Sequence, residues 1–173
     1  MKAETCYGQF DLDERAYPEL TKVYDYWQHK QDGRIAPAWT DISLLDLSPE
    51  VIPRVCVVNV GGDKLDFTYR FWGTAITGLH HYDLTGKSVQ QLKPADYAKT
   101  IYQQYKAVYE TRTPQGFLTK IPLETGLFAY YAAVRMPLSS DGNSINMIMC
   151  AEHHGREREQ LRGAFEKVIR DDM

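Results

Sequence analysis

Five histidines, three cysteines and twelve tyrosines are the side chains with which this chain could do chemistry, and their spacing narrows that chemistry. His80-His81 and His153-His154 are adjacent pairs. Neighbouring residues diverge by about 100° on a helix and point to opposite faces of a strand, so neither pair converges on one ion. His80 alone, on a short helix, could supply the single imidazole a five-coordinate haem needs. Its plainer reading is an ordinary helix-end histidine. Cys6, Cys56 and Cys150 are odd in number, far apart and free of any CxxC spacing, so they predict neither a disulfide framework nor a zinc site. Cys56 and Cys150 fall in strand-like segments, where a thiol is expected to be inert packing. Arg70 is the sharpest single residue. Its planar fork could bind an anionic ligand, or it could pair with a fixed acid, Asp41 or Glu152. The ion pair with Asp41 is the expectation, because a half-buried guanidinium needs a carboxylate whatever the function. No nucleophile, base and orienting acid stand together, and Ser139-Ser140-Asp141 reads as turn chemistry. The run Gly61-Gly62-Asp63-Lys64 is a hairpin tip, not a phosphate loop. No catalytic residue and no metal ligand is assigned.

The elements that must position these residues follow from periodicity. Pro18 opens a helix whose Leu20, Val23, Tyr24 and Trp27 share one face, and Gly33 ends it. Asp41 is placed to cap a short helical turn through Ile42, Leu44 and Leu45, and Pro49 and Pro53 keep the approach to the first strand extended. Strands are expected over 54–61 and 65–72, joined by the glycine turn. In the second, Leu65, Phe67, Tyr69 and Phe71 alternate with Asp66, Thr68, Arg70 and Trp72, which assigns the first set to the core. A short helix over 75–80 and a turn over 88–92 precede the longest helix, begun by Pro94 and running to about residue 112, with Ala98, Ile101, Tyr105, Val108 and Tyr109 turned inward. Strands over 115–123, 127–138 and 144–152 follow, and a last helix over 157–169 carries Leu161, Ala164, Phe165, Val168 and Ile169 on one side. Two strands, a long helical passage and three more strands form an α+β chain whose sheet must lay its helices over one of its own faces. A ligand would sit between those layers.

At 173 residues and 43% hydrophobic composition the chain suits one sizeable core, read as a helical lead-in over 1–53, a sheet domain over 54–153 and a C-terminal helix over 154–173. A net charge of -3 with dispersed Lys and Arg gives no field for nucleic acid or an anionic membrane. The first residues lack the apolar run of a signal peptide, no stretch is long enough to span a bilayer, and the cysteine usage suits a reducing compartment. A soluble cytoplasmic protein is expected.

Certain residues resemble the PAS sensor family, in particular a bacterial branch of small single-domain PAS proteins with a helical lead-in. They are Tyr26-Trp27 followed by Lys30, Gly33-Arg34 and Pro37; Asp41-Ile42; Tyr69-Arg70-Phe71-Trp72-Gly73-Thr74; and Leu84-Thr85-Gly86-Lys87 leading to Leu92. The likeness spans about residues 23 to 124 and departs at Trp39 and Leu44, where the branch is expected to carry Arg and Pro. It implies a five-stranded antiparallel sheet with helices on one face, a pocket between them, and a role in sensing or regulated association. It names no cofactor. A flavin photoreceptor of this type would need a cysteine in an asparagine-arginine-cysteine context, which the chain lacks.

Alternation nominates Val58, Phe67, Tyr69, Phe71, Ile76, Tyr105, Tyr130, Ala132 and Met147 as pocket-lining residues. Tyr102, Tyr109 and Tyr131 join them in segments that should surround an aromatic, partly polar cavity. The expected function is a non-enzymatic regulatory module that binds a small molecule or a protein partner and signals through its terminal helices, with a homodimer built on a terminal apolar stripe. Two rivals stand beside it. One is a small cone-shaped α+β enzyme, isomerase- or dehydratase-like, with Tyr, Asp or His as acid and base; its usual order of helices first does not match. The other is an interaction scaffold with a collapsed pocket.

Overall fold

The computed structural model describes residues 6–155 and 158–172. A six-stranded, wholly antiparallel sheet runs through the molecule in the order β1-β4-β5-β6-β2-β3, where β1 is Tyr7–Phe10, β2 Val55–Gly61, β3 Asp66–Trp72, β4 Gln115–Pro122, β5 Phe128–Leu138 and β6 Met147–His153. Among the described residues four α-helices complete it, beside short 3-10 turns: α1 (Pro18–Gln31), α2 (Thr74–His80), α3 (Ala95–Thr111) and α4 (Arg158–Asp171). The α+β class is as expected. The sixth strand comes from the lead-in, whose residues 7–10 pair with the outer edge of β4. Glu157, the expected first residue of the last helix, lies outside the described residues.

Register decides which side chains meet. Arg135 of β5 lies opposite Cys150 of β6, Cys150 opposite Cys56 of β2, and Cys56 opposite Trp72 of β3, so the four form one row across the sheet and share a face. α3 packs on that face. Its buried Tyr97, Ala98, Ile101, Gln104, Tyr105 and Val108 recur at helical spacing, Gln104 reaches Thr119 of β4 at 2.9 Å and Arg135 at 3.0 Å, and Tyr105 meets the ring of Phe67. α2 docks beside it through Gly73, where a Cβ would lie 2.1 Å from the carbonyl oxygen of Pro53, so a side chain there would hold α2 away from the chain before β2.

The terminal helices cover the opposite face. Glu19 of α1 contacts His153 at 3.3 Å, and the Trp27 indole donates to the buried Pro137 carbonyl at 2.8 Å. Phe165 of α4 packs on Tyr130, and Gly8 lets α4 approach β1, since a Cβ there would meet Val168 at 2.4 Å. The apolar stripe of α4 packs on the chain's own core, with Leu161 and Phe165 buried and Val168 and Ile169 half-buried. β6 starts three residues later than expected because Asp141 holds the preceding loop. It accepts the N–H groups of Asn143 and Ser144, both at 2.8 Å, and the Ser144 hydroxyl. Among the described residues no helix is long and apolar enough to cross a membrane.

Candidate functional site

Between α3 and the sheet lies a layer of polar and aromatic side chains instead of a purely apolar core. Arg135 is its centre, 1% exposed. It sits on β5 between apolar neighbours, where strand alternation drives it inward, and its Nε donates to Gln104 Oε1 while its guanidinium lies 4.2 Å above the Tyr105 ring. Gln104 in turn donates to Thr119 Oγ1, which consumes both ends of the amide. Tyr105 Oη meets Cys56 Sγ at 3.4 Å. On the other side Tyr97 and Tyr131 share a hydroxyl–hydroxyl bond of 2.6 Å, Tyr131 stacks on His154 at 5.0 Å, and His154 bonds Glu152, a buried carboxylate.

Among the described residues, two donors in this layer have no acceptor. Arg135 Nη1 and Trp72 Nε1 are buried and make no hydrogen bond. Both belong to the cross-sheet row and both face α3. A buried donor left unsatisfied costs roughly 1–3 kcal/mol, and more when charged. No carboxylate lies within ion-pair distance of Arg135 among the described residues.

Electrostatics keep the layer in defined protonation states. Burial works against the Arg135 charge, but Cys150, Tyr105 and Tyr131 around it prevail and its pKa stays above the ordinary value. Burial would raise Glu152, yet the His154 bond, with Arg135 and His80 nearby, leaves it below the ordinary carboxyl value and ionised. Burial raises the phenols of Tyr69, Tyr97, Tyr105 and Tyr131. It pushes His80 down to about 4, so this imidazole is neutral at physiological pH. His80 joins the layer to the surface. Its ring contacts Trp72 at 5.5 Å and Tyr97 at 5.6 Å on one side and lines a cleft of about 650 Å³, with Lys93, Pro94, Ile121 and Glu124, on the other.

A family model for the PAS domain matches residues 15–150. The chain belongs to the PAS domain family. Among solved structures, the PAS domain of Bordetella pertussis BvgS is similar over 70% of this chain and 90% of its own, at 13% identity and a TM-score of 0.51. A Vibrio cholerae VqmA dimer is similar over 67% of this chain and 52% of its own, at 15% identity and a TM-score of 0.51. An RNA-binding light-oxygen-voltage receptor is similar over 68% of this chain and 33% of its own, at 12% identity and a TM-score of 0.50. At these identities the likeness is one of fold, and this PAS chain spans a third to a half of the length of VqmA and of the light-oxygen-voltage receptor. No curated protein sequence matches it.

The PAS fold distributes the nominated lining residues over both faces of the sheet. Val58, Phe67, Tyr69 and Tyr105 lie on the α3 side, and Ile76 is buried on α2. Phe71, Tyr130, Ala132 and Met147 lie on the opposite side, in register with Val57, Lys120, Leu118 and Leu138 respectively; Tyr130 packs on α4. For Phe71 the reason is a β-bulge. Val57 pairs with Phe71 but Val58 pairs with Tyr69, so Arg70 is the extra residue, and the bulge turns Phe71 away and Trp72 inward. The same bulge leaves Arg70 exposed. The expected Arg70–Asp41 pair is not formed: Asp41 bonds Arg34 at 2.9 Å and the Ala38 N–H at 2.9 Å, and Glu152 bonds His154. Arg135, Gln104, Trp72 and Tyr97 carry the site's polar chemistry without having been singled out for it, and Glu152, weighed as a partner for Arg70, serves this layer instead. An arginine embedded in Ala-Ala-Val-Arg-Met-Pro-Leu was the available signal, since a strand apolar on both sides of a charge has to bury that charge.

Proposed function

We propose that this PAS chain is a non-enzymatic sensory module whose ligand is a small, acceptor-bearing molecule held between α3 and the sheet. The supporting observation is the pair of buried donors, Arg135 Nη1 and Trp72 Nε1, aimed from one row into one layer. Arg135 and Trp72 stand three strands apart, roughly 14 Å at the backbone, so a molecule with one acceptor, such as a carboxylate or carbonyl, toward each end would pair both. The aromatic rings of Tyr69, Trp72 and Tyr105 suit a planar body. The His80 cleft is the approach from solvent.

The phenols of Tyr69, Tyr97 and Tyr105 are raised and His80 is lowered, so none of these four is tuned for proton transfer near neutral pH. This favours sensing over the acid–base enzyme reading. Output passes through β5 and β6 to α1 and α4, with a second copy or a protein partner meeting the outer surfaces of those helices. The dimeric state of VqmA is the precedent for pairing. A reducing, cytoplasmic setting goes with the buried free thiols of Cys56 and Cys150.

The test is native mass spectrometry with an absorption spectrum on protein purified without chelators or added ligand. An added non-covalent mass that is absent from the Arg135→Met variant supports the reading. A clean apo mass in every preparation, with unchanged stability in the presence of a cell-derived small-molecule extract, overturns it.

A further inference from the structure

The cross-sheet row contains a second chemical possibility that does not depend on sensing. Cys56 and Cys150 face each other across β2 and β6, and Glu152 stands two residues along β6 on the same face. Their ligand atoms, two sulfurs and a carboxylate oxygen, all lie within 4.8 Å of one another, and all three residues are buried. A tetrahedral ion with sulfur bonds of about 2.3 Å has ligand–ligand edges of about 3.8 Å, so small side-chain rotations bring the set to bonding geometry.

We infer that Cys56, Cys150 and Glu152 form a buried three-ligand site for a thiophilic divalent cation of the zinc class on the face of the sheet that α3 covers. Two thiolates and a carboxylate are the donor set such an ion selects. The charge balance is closed. Two thiol protons leave as one divalent cation enters, and Glu152 and Arg135 already cancel. The surrounding shell is the one a metal site needs. Tyr105 Oη lies 3.4 Å from Cys56 Sγ and can donate to the thiolate, and His154 bonds Glu152 and orients its carboxylate. Arg135, opposite Cys150, holds a positive charge beside the sulfur that has to ionise. The spacing of the cysteines in sequence concealed this set, because two side chains 94 positions apart are made neighbours by strand pairing.

Cobalt(II) titration of the full chain under reductant is the test, because thiolate coordination gives intense sulfur-to-cobalt absorption in the near ultraviolet. One equivalent per chain is expected, displaced by zinc and recovered in native mass spectra as one ion per chain. Cys6→Ser is expected to bind like the wild type, Cys56→Ser to lose the absorption, and His154→Ala to weaken affinity roughly tenfold through the carboxylate's orientation. His154→Ala leaves the ligand set intact, so it reports even if Cys56→Ser fails to fold. The inference is overturned by no absorption, by absorption that survives in Cys56→Ser or vanishes in Cys6→Ser, or by a Cys56–Cys150 disulfide that forms in place of metal binding. None of these outcomes alters the ligand test above, which reads an organic mass and Arg135.

Discussion

Glu152 and His153 are consecutive on β6 and serve opposite faces of the sheet. Glu152 lies in the polar layer under α3, bonded to His154, while His153 contacts Glu19 of α1 across the other face. Tyr130 and Tyr131 repeat the arrangement on β5, one against Phe165 of α4 and the other bonded to Tyr97 of α3. A strand cannot rotate one residue without its neighbour. A ligand that shifts the polar layer therefore shifts the seats of both terminal helices, which gives the proposed signal a physical route.

The acceptor shared between Gln104 and Arg135 sets up an asymmetric pair of substitutions. Gln104→Leu removes an acceptor from a buried guanidinium and a donor from Thr119, and is expected to cost about 2–3 kcal/mol. Arg135→Met removes the buried charge itself and is expected to lie within about 1 kcal/mol of the wild type, or above it, when no ligand is bound. Urea unfolding of both variants reads the difference. An Arg135→Met variant as unstable as Gln104→Leu would mean that Arg135 is structurally satisfied and needs no ligand.

His80 gives the chain a pH dependence of known sign. Its folded pKa, about 4, lies below the unfolded value of about 6.5, so the unfolded chain binds the proton first. Stability from this group is intact above pH 6.5 and is lost as pH falls toward 4, by up to about 3 kcal/mol. Unfolding free energies at pH 7, 5 and 4 should fall less steeply in His80→Phe than in the wild type; parallel curves would show that His80 is solvated in solution.

Trp27 anchors α1 to the sheet through one buried bond to the Pro137 carbonyl. Trp27→Phe keeps most of the ring's packing and leaves that carbonyl unpaired, an expected loss of about 1–2 kcal/mol. Hydrogen exchange should show the opening concentrated in α1. Uniform loss of protection across the sheet would contradict an anchor confined to that helix.

Gly73 is where α2 leaves β3. Gly73→Ala places a Cβ 2.1 Å from the Pro53 carbonyl oxygen and 2.7 Å from that of Val55, both backbone atoms. Neither can swing aside as a side-chain tip does, so the expected cost is about 2–3 kcal/mol with α2 displaced. An unchanged thermal midpoint would show that the turn has slack.

The element order was readable from periodicity because α1, α3 and α4 each bury one stripe, and because β2 and β3 are joined by a glycine turn with Gly62 at a positive φ of 94°, but the helices cover both faces of the sheet and not the single face expected. Which way each strand residue points was less readable. β5 is buried from Tyr131 onward on both faces, so its hydrophobic pattern carries no phase, and Tyr130 and Ala132 could not be told from Tyr131 and Ala133. The bulge at Arg70 resets the alternation of β3 within one step, which no two-residue period anticipates. Strand β1 was missed because four residues whose partner lies more than a hundred positions away give too short a pattern to register.

The most direct measurement is a crystal structure of the chain purified from its producing cells, viewed between α3 and the β5–β6–β2–β3 rows. The expected result is density for a small molecule with acceptor atoms within hydrogen-bonding distance, about 2.7–3.2 Å, of both Arg135 Nη1 and Trp72 Nε1. Side-chain or backbone acceptors of the protein itself on both atoms, with the layer closed around them, would contradict it.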